Sequence, residues 1–181
     1  MSAPASAVPG AYAPGMPAIE VDAFPLGDFQ TNCLVVSTRR APGAPRVLAF
    51  LQRESLAPAA ILLTHAHADH IAGLDPVRRA FPGVPVLLHA AEHAFLGDPQ
   101  LNLSAFIARP LSLAGPDGTL ADGQSLELNG TRWKVLHTPG HSPGSVTIAC
   151  LDAPLALVGD TLFAGSIGRV DFPTSDPAAM H

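Results

Sequence analysis

The chain has 181 residues, a length that fits one domain and lets it bury roughly 70% of its unfolded surface. A net charge of −5 and ten scattered Lys and Arg residues speak against a nucleic-acid or anionic-membrane surface and leave a small molecule as the expected partner. No window approaches the ~20 uninterrupted apolar residues of a spanning helix, so a soluble, cytoplasmic protein is expected.

Residues 1–18 contain no basic residue and no continuous apolar run, which speaks against a secretory signal, and their Pro and Gly content predicts a disordered tail. A single folded domain is expected over 19–181. Alternation over Ile19 to Phe24, the turn residues Pro25, Gly27 and Asp28, and the run Thr31 to Ser37 predict an opening hairpin. After the Pro/Gly-rich STRRAPGAP, Val47, Phe50 and Leu51 recur at helical spacing within Arg46 to Leu56. Ala60 to Thr64 reads as a buried strand, Ile71 to Phe81 as a helix stopped by Pro82 and Gly83, and Val84 to His89 as another strand. Ala90 to Leu96 predicts a short helix, and Gly97 to Gly118 a long loop with a helical turn near Ala105. Ser125 to Leu128 and Thr131 to His137 flank Asn129-Gly130, a strong hairpin turn, and strands follow at Val146 to Leu151 and Leu155 to Val158. Hairpins mixed with strand-helix units predict a layered α/β fold. Cys33 and Cys150 lie far apart inside apolar strands, so buried free thiols are expected rather than a disulfide.

The chemistry concentrates in THAHADHIAG. His65, His67, Asp69 and His70 fall within six positions directly after a strand, a density of ligand types that packing rarely produces. In an extended segment His65, His67 and Asp69 would project to one side and His70 elsewhere, so one ion cannot easily take all four. His65 and His67 are expected on one metal, Asp69 and His70 on a neighbour. His141 sits in the rigid irregular loop TPGHSPGS and is the expected third ligand. Asp160 emerges after the apolar run LALVG, where its carboxylate could bridge two cations. His137 reads as packed or supporting, and His89 and His93 as surface or capping residues. Arg169 in GSIGRVDF either touches an anionic substrate or pairs with Asp171.

HAHADH, TPGHSPGS and GDTLFAGSIGRVDF, in that order, with TNCLVV near the start, resemble the metallo-β-lactamase superfamily, in its glyoxalase II-like branch of hydroxyacylglutathione hydrolases. The resemblance runs from about Ile19 to the end of the sequence. It implies an αββα sandwich with a dinuclear site at the sheet edges, in which His65, His67 and His141 bind the first metal, Asp69 and His70 the second, and Asp160 bridges both. Zinc is the implied ion, with iron or manganese also found in the family.

Three departures accompany the resemblance. STRRAPGAP stands where relatives carry a further strand, so one strand of the N-terminal half is expected to be missing. Relatives continue past the GSIGR loop to a Gly-His motif that supplies the last ligand of the second metal. Here the sequence ends in SDPAAMH, where Asp176 and Pro177 start a helical turn too short to be stable alone, and His181 is not expected to replace that ligand. The glutathione-binding helical domain of full-length glyoxalase II is also absent from the sequence. The leading expectation is a metal-dependent thioester hydrolase acting through a metal-bound hydroxide, with Asp69 orienting it or relaying a proton. One alternative is an iron persulfide dioxygenase using His65, His141 and Asp160, although Ser166 stands where such relatives carry Cys. Another is a non-catalytic fragment that keeps a metal half-site.

Overall fold

The structure, a computed structural model, describes residues 20–26, 31–37, 47–107 and 109–180, with only some side chains of the first two strands. The expected tail, the Cys33 side chain and the segment 38–46, where a family strand is expected to be missing, lie outside these residues.

β1 (Glu20–Leu26) and β2 (Thr31–Ser37) form the expected antiparallel hairpin, with Glu20 opposite Ser37 and Leu26 opposite Thr31. β1 continues through Pro25, because a strand with an unpaired outer edge tolerates a residue lacking an N–H. Next comes α1 (Val47–Arg53), whose buried face of Val47, Phe50 and Leu51 packs with Val35 of β2, Leu56 and Phe81.

The first sheet is parallel, ordered β3 (Ile61–Leu62), β4 (Val86–His89) and β5 (Gly118–Leu120). Its strands are apolar on both faces because both faces are covered. Ile61, Leu63, Val86 and Leu88 pack with Ile71, Leu74, Phe95 and Leu96 on the helical side. Leu62, Leu87 and Leu120 point the other way, into the core shared with the second sheet. That sheet is antiparallel and runs β6 (Ser125–Leu128), β7 (Thr131–His137), β8 (Val146–Cys150) and β9 (Ala156–Leu157). It contributes Trp133, Val135, Val146, Ile148 and the free thiol Cys150 to the same core. Positive φ at Asn129 (51°) and Gly130 (77°) makes the β6–β7 turn the one its sequence predicts.

Four differences from the sequence reading stand out. The expected helix Ile71 to Phe81 is two helices, α2 (Ala68–Ile71) and α3 (Leu74–Ala80). A continuous helix would need Pro76 to donate to Ala72, and proline has no donor. The expected helix at Ala90–Leu96 is a 3-10 helix, and β5 begins on the last residue of the expected loop and continues where no element is expected. β5 has only three residues and no alternation to betray it; its pairing with β4 creates it. Finally, β10 (Leu162–Phe163) and β11 (Ser166–Ile167) form a small hairpin that the sequence reading missed.

Helices, first sheet and second sheet thus form three layers of the expected αββα sandwich. On the outer face of the second sheet Arg132 and Leu136 are exposed, α2 and α3 pack on the first sheet, and α1 packs against β2 and Phe81. No helix among the described residues is long and apolar enough to cross a membrane.

Leu88 is fully buried between layers whereas Leu136 is 41% exposed. Leu88→Ala should therefore cost about 2–5 kcal/mol in chemical denaturation and Leu136→Ala less than about 1 kcal/mol. Equal costs would contradict this layer assignment.

Candidate metal centre

The site lies where both sheets end on the same side. Val146 N–H, at the start of β8, donates to Thr64 O just past β3 at 2.9 Å, so the two ligand-bearing loops leave from one seam. His65 and His67 follow Thr64 in extended backbone, and His67 caps α2 with φ −69° and ψ 155°. The extended course ends there. Asp69 and His70 ride on the first turn of α2, which corrects the expectation that Asp69 shares an extended face with His65 and His67. Ala68 N–H donates to Asn102 O at 2.8 Å, and the buried Asn102 side chain in turn binds Phe95 O, Leu111 O and Ser104 N. The long loop after β4 thereby supports the start of α2.

Two groups of donor atoms result. One atom each from His65, His67 and His141 lie within 4.8 Å of one another, and so do one each from His65, His70 and Asp160. His67 Nδ1 is 2.9 Å from His141 Nε2. Asp160 faces both groups, with Oδ1 3.2 Å from His70 Nε2 and Oδ2 3.7 Å from His141 Nε2. Asp69 Oδ2 lies 3.5 Å from His70 Nε2, at the edge of the second group. His65, His67 and His141 are buried, and the Nε2 atoms of His65 and His67 have no hydrogen-bond partner. Buried polar atoms are normally satisfied, so converging orphan imidazoles fit a cation better than an apolar core.

Protonation states agree with that fit. Burial, with the neighbouring His70, His67 and His141 rings, holds His65 well below its usual value. Burial and His141 bring His67 from 6.5 to about 4, against the opposing pull of Asp69 and Asp160. Both are neutral at pH 7, the form that ligates metal. Burial alone would raise Asp160, but hydrogen bonding and charge from His70, then the charges of His141 and His67, bring it below the ordinary aspartate value. His141 Nδ1 lies 2.8 Å from Arg169 O; since a carbonyl only accepts, Nδ1 carries the proton and Nε2 is left to the site.

Close backbone packing fixes these positions. Gly159 has φ +52°, and a Cβ there would meet Thr64 Oγ1 at 2.5 Å, so the turn before Asp160 lies directly against the start of the His65 loop. Ser175 Oγ donates to His141 O and Asp176 N–H to Gly140 O. Asp176 also caps a turn, accepting from Ala178 N–H at 2.9 Å, while Met180 covers Gly140. The expectation that this turn is unstable by itself is answered by docking: tertiary contacts hold it. His181 lies outside the described residues.

The remaining candidates take supporting places. His137 Nε2 is 2.9 Å from Pro143 O, within the His141 loop, and its ring stacks on His89 at 4.1 Å. His93 Nε2 meets Leu88 O, and His89 accepts from Ala91 N–H as the cap of the 3-10 helix. Arg169 forks onto Asp171 with two 2.8 Å bonds and lies over the Phe172 ring, whose edge meets His67 and His141. Sequence reasoning missed Glu92. It is fully buried and accepts from Ala66 N–H at 2.6 Å, Gly144 N–H at 2.8 Å and the Ser142 hydroxyl. Burial raises its pKa despite those three bonds. Its sequence signal is faint, the single acidic residue of a short helix.

Sandwich, seam and histidine cluster define a metal-site protein of one particular superfamily. The chain belongs to the metallo-beta-lactamase superfamily, whose model matches residues 24–181. It is 30% identical over 172 residues to the hydroxyacylglutathione hydrolase GloC of Haemophilus influenzae, covering 87% of this chain and 79% of that protein. Among solved structures it is similar to the BLEG-1 B3 metallo-beta-lactamase, with 40% identity and a TM-score of 0.78 over 88% of this chain and 81% of that one. It is also similar to TTHA1623 in a di-iron-bound form, with 32% identity and a TM-score of 0.63 over 96% and 82% of the two chains. Proteins of this superfamily bind divalent metals, and the comparisons support metallo-hydrolase chemistry.

The depressed histidines link stability to pH. Unfolded His67 takes up a proton near 6.5 but folded His67 only near 4, so its contribution is present above about pH 6.5 and lost as pH falls to about 4. That loss is on the order of 3 kcal/mol for His67. His65 acts in the same sense, while Glu92, raised by burial, acts in the opposite one. Denaturation of metal-free protein should therefore show lower stability at pH 4.5 than at pH 7. A flat profile would contradict the neutral cluster.

Proposed function

We propose that this protein is a metal-dependent hydrolase of thioesters, with two metal positions that share one pocket. The observation that carries the reading is the pair of three-residue donor groups meeting at His65, with the two oxygens of Asp160 turned to one group each. His65, His67 and His141 would hold the first metal. His70 with Asp69 would hold the second, and Asp160 would bridge. A set of imidazoles and carboxylates suits zinc, iron or manganese; we assign zinc, and the likeness to the di-iron form of TTHA1623 keeps iron as the competitor.

When bound, such a metal supplies Lewis acidity and a hydroxide at neutral pH by lowering the pKa of its water to about 7. The chain does the positioning. Asp69, partly exposed beside His70, is placed to orient that nucleophile or hold its proton. Phe172 closes one side of the His67 and His141 pair against water. Arg169, exposed at the same rim, can exchange Asp171 for an anionic group of the substrate. A thioester suits a site whose residues provide no strong acid for the leaving group, since a free thiol has a pKa near ~8.5 and its thiolate departs unaided. The likeness to GloC supports this bond type, and the partner is a small molecule.

Metal-loaded protein should contain two metals per chain by elemental analysis and hydrolyse S-D-lactoylglutathione or a simpler acyl thioester. His141→Ala should lower kcat/KM by more than about 100-fold, beyond the usual cost of losing an outer partner of a ligand. Two other substrates test the rivals. Oxygen uptake with glutathione persulfide would favour the dioxygenase, and turnover of a β-lactam without thioester turnover would favour the likeness to BLEG-1. Folded protein that binds one metal per chain and turns over nothing would leave only the non-catalytic reading.

A further inference from the structure

Glu92 lies outside both donor groups and belongs to neither ligand-bearing loop, yet it is the side chain on which those loops meet. It projects from the 3-10 helix Ala90–Leu96 that follows β4, and none of its surface reaches solvent. Oε2 accepts from Ala66 N–H, the residue between His65 and His67. Oε1 accepts from the hydroxyl of Ser142, which follows His141, and from Gly144 N–H further along the same loop. The loop closes tightly on it, since a Cβ at Gly144 would stand 2.8 Å from Glu92 Cγ.

We propose that Glu92 is a positioning residue for the metal centre, clamping the loop of His65 and His67 to the loop of His141 so that their ring nitrogens converge. The inference rests on the metal reading above. Chemistry requires a carboxylate here. Every partner donates, so an amide of the same shape would turn its NH2 either on Ala66 N–H or on Gly144 N–H, and one loop would lose its anchor. A neutral apolar residue would leave three buried donors unsatisfied. The charge has a use as well. Among the described residues no Lys, Arg or His lies at ion-pair distance from Glu92. A dication held by the imidazoles next to both anchored loops would be its complementary charge.

Other buried acids in cores serve stability alone, so the test must separate holding the fold from holding the ligands. Metal-free full-length protein, Glu92→Gln and Ser142→Ala are titrated with Co2+ against a competing chelator. Binding is followed by visible absorption, and thermal unfolding is measured on the same metal-free samples. Glu92→Gln should weaken the first Co2+ equivalent by about 10–100-fold and alter its absorption bands, as losses of outer partners of metal ligands do. Ser142→Ala, which removes one of the three bonds, should weaken Co2+ in the same direction by a smaller factor while remaining folded. Wild-type Co2+ affinity and spectrum in Glu92→Gln, even with a lowered melting temperature, would reduce Glu92 to a core residue and overturn the proposal. If Glu92→Gln does not fold, unchanged Co2+ binding by Ser142→Ala overturns it instead. A wild-type chain that takes up no Co2+ would fail the metal centre itself, a result distinct from both.

Discussion

The bond from Val146 N–H to Thr64 O, 2.9 Å long, stitches the first sheet to the second where the chain has just left β3 and where it enters β8. Everything at the candidate metal centre depends on that seam. His65 and His67 leave β3 one and three residues after Thr64, and His141 lies in the loop that re-enters the second sheet at Val146. Asp160 arrives from the neighbouring strand β9 through Gly159, whose lack of a side chain lets it lie against Thr64. Three segments distant in sequence thus end within one small volume because the two sheets are packed face to face on a shared core of Leu62, Leu87, Leu120, Trp133 and Ile148.

The local electrostatics follow from that packing rather than from any single residue. For His65 and His67, burial and the neighbouring rings penalise the cationic form twice, by desolvation and by repulsion, and so leave these two rings neutral. Asp160, bordered by the same rings, stays anionic. Neutral nitrogen donors with an ionised carboxylate between them suit a divalent cation, and the outer contacts of the loops, from His141 Nδ1 to Arg169 O and from Glu92 to Ala66, Ser142 and Gly144, keep the donors aimed. The rim beside the cluster is built differently. It uses Phe172 and an exposed Arg169–Asp171 pair, groups that solvent screens and that cost little to rearrange.

Elements were legible in the sequence where local pattern and tertiary role coincide. The Asn129-Gly130 hairpin needs positive φ at both positions, and those two residues adopt it. α1 shows its buried face at Val47, Phe50 and Leu51 because it packs on one side only. Elements were hidden where pairing alone creates them. β5, β10 and β11 are two or three residues long and have no periodicity to read. The break between α2 and α3 was readable in principle from Pro76, but the apolar spacing across Ile71 and Leu74 masked it.

By itself the sequence determined the inventory of candidate donors: His65, His67, Asp69 and His70 in one run, His141 beside Pro and Gly and Asp160 beside Gly at later strand ends. These are local facts, written in residue type and spacing. Only the tertiary structure decided that His65 stands in both donor groups, that Asp160 turns one oxygen to each, and that Glu92 joins the loops. Such relations arise between residues far apart in the chain and come from the packing of two sheets, so no local pattern announces them. A lone acid in a short 3-10 helix becomes meaningful only when its three donors come from two other loops.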